Sequence, residues 1–137
     1  MDKALNYLAL ARKAGRIELG EQPVGIATRA QIARLVVVAE DASDHTWRRA
    51  QSFVTGTRQA CIRVPFSKDA LGQAVGRTEL AMGAFTDAAL ALAFVKALPQ
   101  PERYAEALEN LQQRTRAIRQ RQSETKAHKR NVKRGKK

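Results

Sequence analysis

Short apolar strands alternating with helices of about ten residues predict an α/β fold, a three-layer α/β/α sandwich with a mixed sheet of about four strands. Three observations carry that prediction. Residues 35–39, Leu-Val-Val-Val-Ala, form a continuous β-branched run bounded by Glu40 and Asp41, the pattern of a central strand buried on both faces. Capping residues recur just ahead of apolar helical stripes, at Asp2, at Ser43 or Asp44, at Ser67 and at Asp87. Pro99 and Pro101 close the alternating region, and beyond them the pattern changes to one amphipathic stripe and a basic end.

Along the chain, Asp2 to Ala14 places Leu5, Leu8 and Ala9 at helical spacing, with Gly15 as the stop. Arg16 to Leu19 alternates polar and apolar like a short half-buried strand, which Gly20 breaks. A second helix is expected from about Glu21 to Gln31, with Pro23 in the first turn, where its missing N–H is no loss, and Gly25 as a weak point inside. After the central strand, a third helix carries Trp47, Ala50, Phe53 and Val54, and Cys61 to Val64 gives a strand that stops at Pro65. A fourth helix holds Leu71, Ala74 and Val75 and closes at Gly76; Leu80 to Thr86 is the next strand, and Asp87 caps a helix to about Leu98.

Tyr104, Leu108, Leu111 and Ile118 recur at i, i+4, i+7 and i+14, so a sixth helix is expected to run into the arginine-rich stretch. Its apolar face needs a partner surface, either the domain or another molecule. The expected organisation is a folded domain over 1–98, an amphipathic helix over 99–113 and a basic, disordered tail over 114–137.

Charge supports that division. The chain of 137 residues has a net charge of +12, yet residues 1–98 carry 13 basic against 9 acidic side chains. From 114 onward, Arg114, Arg116, Arg119, Arg121, Lys126, Lys129, Arg130, Lys133, Arg134, Lys136 and Lys137 face the single Glu124. Such density calls for a polyanion, because cations that neutralise phosphates release condensed counterions. The tail has no aromatic residue to stack on bases, so it is expected to grip phosphate with little sequence preference.

Several classes are disfavoured. His45 and His128 have no cysteine or carboxylate at metal-ligand spacing, and no nucleophile with base and orienter can be assembled, so neither enzyme activity nor a cofactor or metal is expected. Glu40 and Asp41 read as a solvated turn. Gly72 and Gly76 fit neither the dinucleotide nor the P-loop spacing and read as helix punctuation. No run of 18 apolar residues and no cationic leader are visible, so no membrane association is expected. Cys61, the single cysteine, reads as a small buried hydrophobe in a cytoplasmic protein. Oligomeric state is not specified.

Three blocks, residues 9–20 (ALARKAGRIELG), 33–43 (ARLVVVAEDAS) and 64–76 (VPFSKDALGQAVG), resemble in order and spacing the kink-turn-binding ribosomal-protein family. This is the L-seven-Ae, L-thirty-e and Gadd-forty-five group, and the likeness is to its bacterial YlxQ-type members across residues 1 to about 98. The resemblance implies an α/β/α domain that grips a bent RNA internal loop through a G-x-N-E-x-x-K segment at the start of the second helix. Aligned on Gly20, this chain supplies Gly20, Gln22, Pro23 and Ile26: glycine is kept, asparagine is replaced by glutamine, and the glutamate and lysine are missing. The family's second RNA-facing loop aligns with Gly76 to Leu80, here Arg77, Thr78 and Glu79, where Arg77 could meet phosphate.

The resulting expectation is a non-enzymatic protein that binds structured ribosomal RNA in the ribosome or during its assembly, with ribosomal or assembly proteins as further partners. Its folded site would gather Arg16, Gly20, Gln22, Arg77 and Thr78 on one side. The rival expectation is a protein-interaction module of the same fold that has lost kink-turn specificity.

Overall fold

The computed structural model describes the backbone of residues 2–135 and side chains as far as Arg121. Helices and strands alternate: α1 Lys3–Lys13, β1 Ile17–Leu19, α2 Glu21–Arg29, β2 Leu35–Val38, α3 Asp44–Val54, β3 Ala60–Arg63, α4 Lys68–Ala74, β4 Met82–Phe85 and α5 Ala88–Lys96. A 3-10 turn at Pro101–Tyr104 then leads into α6, Ala105–Gly135.

Local chemistry fixes most of the boundaries. The Asp2 carboxylate accepts from the Ala4 N–H at 2.8 Å, the Ser67 hydroxyl from Ala70 at 3.1 Å and the Asp87 carboxylate from Leu90 at 2.9 Å, each satisfying a donor the first turn leaves unpaired. For α3 the cap is Ser43, whose hydroxyl accepts from the Thr46 N–H at 3.1 Å; Asp44 is the first helical residue.

The sheet order is β1-β4-β2-β3. β2 and β3 run parallel, and β4 lies antiparallel to both β1 and β2. The two central strands, β2 and β4, are buried at every position because helices cover both faces. On one face α2 and α3 pack together; on the other α1 packs against α4 and α5, with α6 beside α5 and reaching β3. Layer count and mixed sheet agree with the sequence expectation.

The first part of the apolar stripe of α6 finds its partner in the domain itself, whereas Ile118 at its far end stays 36% exposed. Leu111 is fully buried, Ala107 nearly so, and Tyr104 and Leu108 pack against the core. Burial of one leucine contributes about 1.5–3 kcal/mol, enough to seat the helix. The Asn110 amide also donates to the Arg58 carbonyl at 2.8 Å, tying α6 to the turn before β3. The division expected at 113/114 falls inside α6. Thr115 is buried and donates to the Leu111 carbonyl at 2.8 Å, and the backbone stays helical to Gly135.

Gly76 ends α4 as expected, but Gly72 does something else. A Cβ at Gly72 would lie 2.6 Å from the Glu79 Cα, so only glycine lets the 77–80 loop fold back onto α4. The Arg77 N–H donates to the Gly72 carbonyl at 2.8 Å and Leu80 N–H to that of Lys68 at 2.9 Å, fastening the loop. Cys61 is half-buried on β3, and desolvation pushes its thiol up to about 12.

Candidate nucleic-acid interface

β1 and β2 both oppose β4, so their C-terminal ends gather at one end of the sheet, which we call the upper pole. Gly20 sits there, leaving β1 and opening α2. Its φ of 96° lies in a region open to glycine alone among common residues, and no side chain caps the helix. The Gly20 N–H is held by the Met82 carbonyl at 2.9 Å, which fixes the turn to the start of β4.

Arg77 comes to the same turn from the loop that Gly72 fastens. A Cβ at Gly20 would lie 3.9 Å from Arg77 Nη1, so the guanidinium rests against the bare glycine backbone. Gln22 is exposed on the first turn of α2, and Thr78 is exposed beside Arg77. A cation, an uncapped helix start and bare backbone therefore share one surface, which suits an anionic ligand approaching closely. Glu21 beside them pairs with Arg49 at 2.8 Å, a bridge half-open to solvent that ties α2 to α3 and contributes little energy.

Arg16 does not join this surface. Its carbonyl accepts from the Thr86 N–H at 2.9 Å, at the opposite end of β1 from Gly20. Four residues of extended chain span roughly 13 Å, so the expected grouping of Arg16 with Gly20 is corrected by the strand direction. Arg16 belongs to the lower pole, where the Arg34 N–H donates to the Phe85 carbonyl at 2.7 Å.

Of the basic end, Arg114 is part-buried against the domain near Arg34 and Arg58. Desolvation, reinforced by those two cations, holds its guanidinium below the ordinary arginine value. Arg116, Arg119 and Arg121 are exposed on α6. Lys126, Lys129, Arg130, Lys133 and Arg134 lie on the helical backbone, whereas Lys136 and Lys137 fall outside the described residues. Sequence reading passed over Arg34 and Arg58. Each precedes a strand and looks like an ordinary solvated turn residue; a spacing of 24 and then 56 positions gives no local signal that they meet Arg114.

Among the described residues no group of three histidine, cysteine or acidic side chains could hold a metal ion, and no helix is long and apolar enough to cross a membrane.

The fold and its upper pole define a small α/β/α sandwich that offers a cation and open backbone donors at one end of its sheet. No protein-family model matches the chain. It is 30% identical over 81 residues to the RNA-binding protein YlxQ of Enterococcus faecium, a match spanning 59% of this chain and 78% of that one. The chain belongs to the family of that protein. Among solved structures it is similar to a protein of unknown function from Bacillus halodurans, with 25% identity and a TM-score of 0.66 over 71% of this chain and 97% of the other. The Giardia lamblia 15.5kD RNA binding protein shares the fold at 19% identity and a TM-score of 0.54, over 69% of this chain and 81% of its own.

Proposed function

We propose that this protein binds RNA without catalysing a reaction, and that its target is structured ribosomal RNA bent at a kink-turn-like internal loop. The observation that carries the reading is the contact surface at the upper pole, where Arg77 lies against Gly20 at the uncapped start of α2. Membership of the YlxQ family and a net charge of +12 support the same partner. Gly20 admits the RNA backbone, Gln22 meets base edges, and Arg77 with Thr78 contacts phosphate or sugar. The basic half of α6 adds affinity that does not depend on sequence. The cytoplasm, where ribosomes assemble and a free thiol such as Cys61 stays reduced, is the fitting location.

Crosslinking in cells followed by sequencing of the attached RNA tests the target: ribosomal reads clustered at bent internal loops are expected, and reads spread over unrelated transcripts would overturn it. A second reading, docking to a protein, is favoured by Ile26. That side chain is 62% exposed on α2, where the resemblance places a lysine. Purification of the chain with a stoichiometric protein and no nucleic acid would favour this second reading.

A further inference from the structure

The most concentrated charge on the folded domain lies away from the surface just proposed. Arg34 stands before β2, Arg58 before β3, and Arg114 on α6, so the three arrive at the lower pole from separate parts of the chain. They line one groove of about 600 Å3 together with Gln31, Asn110 and Gln113. Asn110 holds the walls in place through its bond to the Arg58 carbonyl at 2.8 Å.

Nothing among the described residues neutralises these cations. Among the described residues no carboxylate lies within ion-pair distance of Arg34, Arg58 or Arg114. Asp87 lines a neighbouring recess with Arg34, but the Asp87 carboxylate caps α5 by accepting from the Leu90 N–H at 2.9 Å. The Arg34 Nε is buried without an acceptor, a state native structures rarely leave uncompensated. Arg114 is partly desolvated beside the two like charges of Arg34 and Arg58, and burial first and those cations second lower its basicity. A water molecule could satisfy the Arg34 donor, but only an anion also relieves the mutual repulsion.

The helix that leads away from the groove decides which anion. From Arg114 to Gly135 α6 continues for about 33 Å, at 1.5 Å per residue, and carries nine basic residues against the single Glu124, a net of +8 out of the chain's +12. A small phosphate ester would use the groove and ignore that track; a polyanion would use both. We infer that Arg34, Arg58 and Arg114 form a second phosphate-binding site, which takes the phosphodiester backbone of RNA at the lower pole and leads it onto the basic half of α6. This rests on the RNA reading above but not on kink-turn recognition, since the two poles lie at opposite ends of the sheet.

The test uses the full chain, the double variant Arg58→Gln with Arg114→Gln, and Arg77→Gln as the upper-pole counterpart. Arg34 is left in place as a reporter through its Nε–H resonance. Each protein is titrated across a salt series with a fluorescent kink-turn RNA and a straight RNA duplex of equal length. For the double variant the log-log salt slope should fall by about 1.4 to 1.8, at about 0.7 to 0.9 per phosphate contact, and affinity for both RNAs should drop by about 10-fold or more. Its melting temperature should hold or rise, because repulsion is relieved. The Arg34 Nε–H resonance should move on adding either RNA to the wild type.

An unchanged slope in the double variant, with Arg77→Gln still losing kink-turn preference, overturns the second site and leaves the proposed function standing. A wild type that binds neither RNA overturns both. An Arg34 resonance that moves with inorganic pyrophosphate but with neither RNA overturns the RNA occupant in favour of a small anion.

Discussion

The two poles of the sheet carry positive charge in opposite styles. At the upper pole one exposed guanidinium, Arg77, lies against the bare Gly20 backbone, held there by a loop that only Gly72 admits. At the lower pole Arg34, Arg58 and Arg114 converge on a groove with no carboxylate partner among the described residues. The first arrangement places few groups at defined positions and suits discrimination between RNA shapes. The second concentrates charge and suits affinity that salt erodes. The proposed function and the second site together divide specificity and affinity between the two ends of one sheet.

The largest effect that would break this division comes from ending the chain after Gln113. Ala107 and Leu111 remain to seat α6, so cooperative unfolding should persist, while Arg114 and the ten basic residues after it are lost. RNA affinity at low salt should fall by at least about 100-fold with a much flatter salt slope, yet the ratio of kink-turn to duplex affinity should survive. Titrations in a salt series check this; loss of the ratio with the tail would place discrimination on α6 instead.

The converse change is Gln22→Asn, Pro23→Glu and Ile26→Lys together, which restores the segment the resemblance describes. A gain of about 2–4 kcal/mol for kink-turn RNA over duplex is expected, after allowing for coupling among neighbours on one helix. The salt slope should rise by no more than the single added lysine accounts for. If neither wild type nor variant prefers the kink-turn, the upper pole is not the reading surface.

Gly72→Ala sharpens the comparison by moving Arg77 without touching it. The added methyl meets the Glu79 backbone and must displace the loop, at a cost of about 1–3 kcal/mol in stability. Kink-turn preference should weaken along with the melting temperature, whereas the salt slope, set mostly at the other pole, should fall by no more than the about 0.9 that the single Arg77 contact accounts for.

The smallest effect supplies a check on integrity for all of these variants. Cys61 sits on β3 between the poles with its thiol pushed up to about 12, so in the folded protein it should resist alkylation at pH 8. The ordinary value is 9.0, hence the unfolded chain sheds this proton first as pH rises. The stabilisation is complete below about pH 9 and declines from there towards about pH 12, by no more than about 1.4 kcal/mol per unit. Fast labelling at pH 8 in a variant would report a disturbed β3 rather than a lost RNA contact, and a wild type that labels at the free-thiol rate would contradict the burial.

Much of this architecture is written locally. Asp2, Ser67 and Asp87 cap the helices they were expected to cap, because a cap is decided by a side chain and an N–H two or three residues away. The run Leu35–Val38 is a central strand because four consecutive apolar residues need cover on both faces. Gly20 was legible as a chain break, and the family pattern pointed from it to Gln22 and Arg77.

Other features depend on which strands are neighbours. Arg16 and Gly20 are four residues apart and look like one site in the sequence, but an extended strand holds them at opposite ends of the sheet. Ser43 rather than Asp44 caps α3, a one-residue choice that only the helix register makes. Gly72 looked like punctuation and is a contact point, since the backbone it receives belongs to the 77–80 loop.

Composition, caps and hydrophobic period by themselves determined an α/β/α sandwich with a basic end, because these signals act over a turn or a strand length. The tertiary structure alone decided that Arg34, Arg58 and Arg114 share a groove and that the first part of the stripe of α6 closes on its own domain. Those contacts join residues dozens of positions apart through the order β1-β4-β2-β3 and the docking of α6 beside α5, and no local pattern encodes a distance that chain folding creates.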